Sequence, residues 1–190
     1  MTGRAEEDAI LEAGFRAIFE AEFSYVCRSL RRCGIRDADV EDLAHDVFLA
    51  LYTRFDHVDR SRPIKPWLFG IAFRIASHQK RRAGYRREGT EAELEAVDPS
   101  PGADEPLETS EQQRLLLAAL DTLDDDRRAV VVMHDLDGIA MQEIAIELNI
   151  PLFTGYSRLR TARTELAGYV RREQLRHASK HVRPQEGSER

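Results

Sequence analysis

The 190-residue chain has 33% charged and 42% hydrophobic residues, two cysteines and a formal net charge of −6. It contains no run of about 18 uncharged apolar residues, and its acidic N-terminus lacks the apolar core of a signal peptide, so we expect a cytoplasmic protein without membrane insertion. The low Gly and Pro content favours an all-α fold made of two small helical domains.

The acidic residues are concentrated in one segment. Residues 88–111 contain nine Asp or Glu and no Lys or Arg, so the remainder of the chain is net positive. This segment includes Pro99, Pro101 and Pro106 and has no sustained hydrophobic period, which is typical of a linker. We therefore predict an N-terminal domain of residues 10–87, an acidic flexible linker of 88–109, a C-terminal domain of 110–176 and a polar tail of 177–190.

The N-terminal domain is predicted to hold three helices. Apolar residues recur every three or four positions from Phe15 to Leu30, and Gly34 is placed to end this first helix. A second helix begins near Asp37 or Asp39 and runs to Leu51. After the polar loop 56–65, a third helix begins near Pro66 and ends in a basic run.

Cys27 and Cys33 lie on or near the first helix. Their spacing is not that of a redox or zinc motif, so a disulfide framework is not expected. We interpret them as two half-buried thiols, with a redox or metal switch as the alternative.

The C-terminal domain is predicted to hold four helices. They are expected at residues 115–123, 124–136, 141–148 and 154–176, with a capping box from Ser110 to Gln113 before the first. The last helix directs Leu159, Ala162, Leu166 and Val170 inward.

Residues 140–163 favour a helix-turn-helix, in which Asn149-Ile150-Pro151 is the turn. Five polar residues lie on the side of the second helix opposite Leu159 and Ala162: Tyr156, Ser157, Arg160, Thr161 and Thr164. Guanidinium and hydroxyl groups in this arrangement suit base edges and phosphates in a major groove. An ordinary solvated basic face is the alternative.

The helix after Pro66 combines aromatic residues with a basic end, as in sites that stack single-stranded bases. Trp67, Phe69 and Phe73 are either core residues or stacking residues. Five residues towards the basic end of this helix are either nucleic-acid contacts or part of a solvated face. They are Arg74, His78, Lys80, Arg81 and Arg82.

On the second helix, Asp42, His45 and Asp46 share one face. Docking of a protein partner is the preferred interpretation and solvation the next. A metal site is disfavoured because no fourth ligand is evident, and we expect no cofactor.

Three motifs, in this order, resemble the extracytoplasmic-function (ECF) class of bacterial sigma factors. The stretch DVEDLAHDVFLALY is similar to region 2.2, WLFGIAFRIASHQKRR to regions 2.3 and 2.4, and MQEIAIELNIPLFTGYSRLRTAR to region 4.2. The resemblance covers most of residues 10–175 and implies a promoter-specificity subunit that works with core RNA polymerase. A stand-alone helix-turn-helix regulator is the alternative, and an enzyme is not expected because no catalytic constellation converges.

The resemblance also implies partners and contact residues. The partners are core RNA polymerase, through its β′ clamp helices and β flap, promoter DNA and an anti-sigma factor. Contacts with polymerase are implied for Asp39, Asp42, His45 and Asp46. Contacts with the −10 element, which include the capture of a flipped base, are implied for Arg60, Arg62, Lys65, Arg74, His78, Lys80, Arg81 and Arg82. Contacts with the −35 element are implied for His134, Thr154, Tyr156, Ser157, Arg158, Arg160, Thr161 and Arg163.

Four positions depart from the family pattern. His45 stands where Gln is usual, and Arg74 where Asn helps to form the base pocket. Ala140 replaces a capping Ser, at a loss of about 1 kcal/mol. Gly155 replaces a β-branched residue, which we expect to weaken the first turn of the recognition helix and to bring its backbone closer to DNA.

Overall fold

A computed structural model of the chain describes residues 2–55, 62–87 and 107–181. These residues are helical, and no strand occurs among them, as the composition predicted. The helices are α1 Thr2–Arg32, α2 Asp37–Tyr52, α3 Ile64–Arg87, α4 Leu107–Leu120, α5 Asp125–Val131, α6 Met141–Glu147 and α7 Leu152–His181. A π-helical turn, Val132–Leu136, continues α5. Arg60, linker residues 88–106 and tail residues 182–190 lie outside the described residues.

The N-terminal half, α1 to α3, packs around the apolar residues that the spacing predicted. Val26, Leu30, Val47 and Phe48 are fully or almost fully buried. α1 ends at the predicted glycine: Gly34 has a φ of 85°, its N–H donates to the carbonyl of Arg31, and the N–H of the next residue donates to that of Leu30. This is the Schellman arrangement, which requires a left-handed residue and so favours glycine.

The C-terminal half, α4 to α7, confirms the four predicted helices with two corrections. α4 begins at Leu107, before Ser110, so the predicted capping box is wrong and the predicted linker ends in helix. α5 is capped by Asp124, whose side chain accepts a hydrogen bond from the N–H of Arg127. Val170, predicted to point inward, is exposed.

The turn between α6 and α7 confirms the predicted helix-turn-helix. Asn149 has a φ of 52°, and the N–H of Ile150 donates to the carbonyl of Ala145, so an asparagine ends α6 as Gly34 ends α1. At the other end of α6, Ala140 occupies the N-cap position and supplies no capping side chain.

Gly155 has a different role from the one predicted. It is buried, and a Cβ at this position would lie 2.6 Å from the Sδ of Met141 on α6. The glycine therefore lets α6 and α7 approach each other and faces away from the exposed side of α7. The expectation that it brings the backbone closer to DNA is wrong.

The two halves pack against each other through one continuous apolar core and a polar contact centred on Asp137. The carboxylate of Asp137, only 5% exposed, accepts hydrogen bonds from Arg32 Nη1 at 2.7 Å and from the Tyr25 hydroxyl at 2.9 Å. Burial, followed by the charge of Asp137, raises the pKa of the Tyr25 hydroxyl. Both partners lie on α1, so Asp137 joins the C-terminal half to the N-terminal half.

Two further contacts lie beside this one. Lys80 of α3 donates to the carbonyl of Cys33 and to the carboxylate of Asp125 on α5. The buried guanidinium of Arg128 lies against Gly34, so that any Cβ at position 34 would clash with it. The C-terminal end of α1 is therefore covered by cations, which the negative end of a helix dipole favours.

Within the described ranges, no helix is both long and apolar enough to cross a membrane. Cys27 and Cys33 are free thiols and are buried more completely than predicted. Burial raises the pKa of the Cys33 thiol to about 12.

We predict that Gly155→Ala lowers stability by about 1–3 kcal/mol, because the new methyl group overpacks the contact with Met141. Gly168→Ala on the same helix is the matched control, since its Cβ would meet only Arg172 Nη1, at 3.5 Å. The control should gain up to about 1 kcal/mol of helix propensity. Urea denaturation of both variants is the measurement, and an equal gain in the two would contradict this account of α6–α7 packing.

The two halves packed against each other are called the closed arrangement. Asp137→Asn should destabilise this arrangement by about 2–4 kcal/mol. This is near the cost of breaking a buried ion pair, reduced because Arg32 keeps 22% exposure. Asp37→Asn, which breaks the exposed pair with Arg31, should cost under about 1 kcal/mol. Urea midpoints measure both effects, and the radius of gyration from X-ray scattering should increase only for Asp137→Asn.

Candidate nucleic-acid interface

The exposed side of α7 brings together the polar residues predicted to contact duplex DNA. Tyr156, Ser157, Arg160 and Thr161 are exposed, while Leu159 and Ala162 on the opposite side are buried against the core. Thr154, half-buried, lies in the first turn. The Thr161 hydroxyl donates to the carbonyl of Ser157, and its oxygen remains able to accept a hydrogen bond.

One residue on this side escaped the sequence analysis. Phe153 is 75% exposed, and it precedes Ser157 by four positions and Arg160 by seven. These spacings place Phe153, Ser157, Arg160 and Thr164 in one row along the helix, which we call the α7 row. An apolar residue carries no polar signal of DNA contact, although helical spacing alone places it in this row.

Three predicted −35 residues near the α7 row have acidic partners. Arg163 forms two hydrogen bonds with Asp135, at 2.6 and 2.9 Å. His134 also contacts Asp135, and Arg158 pairs with Asp126. The hydrogen bond from Arg163 is the largest of the effects that lower the pKa of the Asp135 carboxyl.

Arg160 differs from these residues. It is exposed and has no acidic partner within the described part of the chain. Its guanidinium therefore presents all its donors to solvent at the centre of the α7 row.

The predicted −10 residues are spread along α3 and the turn before it. Arg62, Arg74, His78, Arg81 and Arg82 are exposed. Lys65 lies 5.4 Å from the centre of the Tyr25 ring, and Lys80 is held by Asp125 across the two halves. These two lysines are thus engaged within the protein.

A residue of the C-terminal half also approaches the exposed arginines of α3. The carboxylate of Glu147 on α6 lies against Gly70 of α3, where the Arg74 guanidinium is also close. Burial raises the pKa of Glu147, an effect that the charges of Arg62 and Arg74 partly oppose. In this arrangement an acid of the C-terminal half faces cations predicted to bind DNA.

The aromatic residues of α3 were predicted to be either core residues or base-stacking residues, and they differ in their burial. Phe69 is fully buried and stacks on Phe73, with ring centres 6.5 Å apart, so it is a core residue. Trp67 and Phe73 are half-buried and pack on the same core. Each of these two keeps an accessible part of its ring.

The predicted polymerase-binding residues lie on α2. Asp42, His45 and Asp46 are exposed, whereas Asp39 is paired with Arg36 at 2.8 Å. The His45 ring packs 5.3 Å from that of Phe23, and its Nδ1 contacts the carbonyl of Glu41. Leu49, 62% exposed, continues the same face and was not predicted, because it breaks the apolar period of α2.

The side-chain clusters of the described ranges include no group of three or more Cys, His, Asp or Glu residues arranged to hold a metal ion.

Comparison with known proteins identifies two family domains. Residues 18–86 match the family model "Sigma-70 region 2", and residues 113–166 match "Sigma-70, region 4". The chain is 33% identical over 138 residues to the ECF RNA polymerase sigma factor SigE of Mycolicibacterium smegmatis, covering 70% of this chain but only 52% of that relative. It is 26% identical over 153 residues to the RNA polymerase sigma factor CnrH of Cupriavidus metallidurans, covering 76% of this chain and 80% of CnrH.

A solved structure shares the fold. The sigma factor RpoE from Bartonella quintana, in complex with the anti-sigma factor NepR, aligns with a TM-score of 0.71 at 20% identity, covering 83% of this chain and 97% of that one. The two matched domains lie in the order that the motifs predicted. The chain therefore belongs to the extracytoplasmic-function class of sigma-70 RNA polymerase sigma factors.

Proposed function

We propose that this chain directs core RNA polymerase to a class of promoters as an alternative sigma factor. The single observation that carries the proposal for its own residues is the α7 row, with the exposed guanidinium of Arg160 at its centre, which has no acidic partner in the described part of the chain. The protein recognises DNA and does not catalyse a reaction itself. Because its partner polymerase works in the bacterial cytoplasm, we place its action there.

The −35 element is read by α7 in the major groove of the duplex. Arg160 offers two parallel donors, the geometry that guanine O6 and N7 accept, and Tyr156, Ser157 and Thr161 offer hydroxyls on either side. His134, Thr154, Arg158 and Arg163 contact the backbone or base edges nearby. Acidic partners hold Arg158 and Arg163 in position, which limits the entropy lost on binding.

The −10 element is read by α3. Arg62, His78, Arg81 and Arg82 are exposed and accessible to the phosphates of the displaced strand. Arg60, which lies outside the described residues, is proposed to join them on the basis of the sequence alone. Trp67 and Phe73 have accessible ring surface for an unstacked base. Arg74 replaces the usual asparagine at the base pocket, so we propose that it stacks on the base or binds a phosphate.

The closed arrangement must open for this function. Lys80 and Arg74 face Asp125 and Glu147 of the other half, and these acids compete with DNA for the same cations. Promoter phosphates and core polymerase would replace them when the halves separate.

Core polymerase is proposed to bind through α2. Asp42, His45 and Asp46 present two carboxylates and a ring beside the exposed side chain of Leu49, which suits a basic partner surface with an apolar patch. This face is assigned to the β′ clamp helices, with Asp39 at its margin, and the C-terminal half to the β flap. An anti-sigma factor is a further expected partner, since the structural neighbour RpoE is in complex with the anti-sigma factor NepR.

Run-off transcription tests the function. Core polymerase with the purified chain should produce transcripts from a promoter library above the level with core alone. A gel shift distinguishes the sigma factor from the alternative, a stand-alone helix-turn-helix regulator. The regulator would bind duplex DNA tightly without polymerase, whereas the sigma factor should need core polymerase. Absence of transcripts together with tight binding by the free chain would favour the regulator.

Arg160→Ala should weaken promoter binding by the holoenzyme by about 1–3 kcal/mol, as expected for the loss of a bidentate contact with guanine. If Arg160 instead contacts a phosphate, the slope of the logarithm of the binding constant against the logarithm of salt concentration should become shallower by about one in Arg160→Ala. Arg176→Ala on the same helix is the control, because this exposed residue pairs with Glu173 away from the α7 row. Equal effects of the two substitutions would contradict the assignment.

Asp46→Ala should weaken binding of the chain to core polymerase by about tenfold, because it removes one partner of an interfacial charge pair. Glu20→Ala, an exposed acid on α1, should leave this affinity unchanged. Fluorescence anisotropy with labelled chain measures both values without promoter DNA. An undiminished affinity for Asp46→Ala would remove this residue from the interface.

A further inference from the structure

Phe153 is a large apolar side chain that the fold does not use. It is 75% exposed, and its neighbour Leu152 is 42% exposed, although the two halves of the protein are packed together. Burial of a phenylalanine side chain is strongly favourable, so its exposure in the first turn of α7 leaves a substantial apolar surface in water. Neither half of the described structure covers it.

The position of Phe153 limits what can cover it. Phe153 begins the α7 row and is followed by Ser157, Arg160 and Thr164 at helical spacing. Residues at the N-terminal end of a recognition helix are the ones that reach base edges. A ligand that contacts Ser157 and Arg160 in the major groove must therefore also meet the Phe153 ring.

The surrounding charge favours a polyanionic ligand over an apolar protein surface. Arg160 follows Phe153 on the same row, is exposed and has no acidic partner among the described residues. A protein bound over Phe153 would cover the row and exclude DNA from it. The ligand that satisfies both the cation and the ring is a duplex with an apolar group in its major groove.

The C5-methyl group of thymine is the apolar group that bases present in that groove. We propose that Phe153 reads a thymine methyl group in the −35 element, and thereby specifies an A·T pair next to the bases read by Ser157 and Arg160. This inference rests on the proposed function, because it assigns a specificity residue to the same surface. It adds an apolar contact to a surface otherwise described by hydrogen bonds and charge.

Deoxyuridine provides the test, because it keeps the hydrogen-bonding groups and charge of thymidine and lacks only the methyl group. Holoenzyme is first used to select the −35 element from a randomised promoter library. Each thymidine of the selected element is then replaced singly by deoxyuridine, on either strand, and holoenzyme binding is measured. For the unaltered chain, replacement at one or two adjacent positions should weaken binding about fourfold, the value for the loss of one buried methyl group.

Substitutions of Phe153 test whether its ring causes the weaker binding of deoxyuridine promoters. Phe153→Ala should bind the thymidine promoter more weakly and should lose the discrimination between thymidine and deoxyuridine at those positions. Phe153→Leu should keep part of it. Val170→Ala, a substitution of an exposed apolar residue far along α7, should retain the full discrimination. Because Phe153 is exposed, Phe153→Ala should also keep the unfolding midpoint and the affinity for core polymerase without DNA.

Three results would overturn the inference. The first is a −35 element at which no thymidine-to-deoxyuridine replacement weakens binding. The second is a Phe153→Ala variant that discriminates as well as the unaltered chain. The third is a loss of core affinity in Phe153→Ala without DNA, which would assign the ring to a protein partner. A holoenzyme that selects no promoter would refute the proposed function itself and the inference with it.

Discussion

The buried carboxylate of Asp137 is the contact on which the arrangement of the two halves depends. A carboxylate with this little exposure needs partners for both oxygens, and Arg32 and Tyr25 of α1 supply them. Asp135 lies in the π-helical turn before it and pairs with Arg163 of α7, whereas Asp137, two residues later, pairs with Arg32 of α1. One short segment thus connects the DNA-reading helix to the other half of the molecule.

Competition for cations follows from the same arrangement. In the closed form, Lys80 and Arg74 of α3 lie near Asp125 and Glu147, whereas Arg160 has no acidic partner among the described residues. The surface proposed for duplex DNA is therefore accessible before the halves separate, and the surface proposed for single-stranded DNA is partly occupied. This difference suits an order of events in which the upstream element and polymerase are engaged first and the strand is captured afterwards.

Much of the fold could be predicted from the sequence, because hydrophobic spacing and helix-ending residues are local signals. Gly34, Asn149 and the apolar faces of α1 to α3 gave the helices and the helix-turn-helix directly. The packing of the halves could not be predicted, since nothing local indicates that Asp137 meets Arg32 across 105 positions of the chain. The role of Gly155 was missed for a similar reason: a glycine that admits Met141 from another helix has the same sequence signature as one that admits DNA.

Gly34 satisfies two structural requirements at once. Its left-handed backbone ends α1, and its missing side chain makes room for the guanidinium of Arg128 from the other half. The first requirement also accepts asparagine, as position 149 shows, but a Cβ at position 34 would force the end of the Arg128 side chain to move. Among relatives of this chain, asparagine at position 34 should therefore be favoured with a shorter residue at position 128, so that these two sites together record whether the halves close in this way.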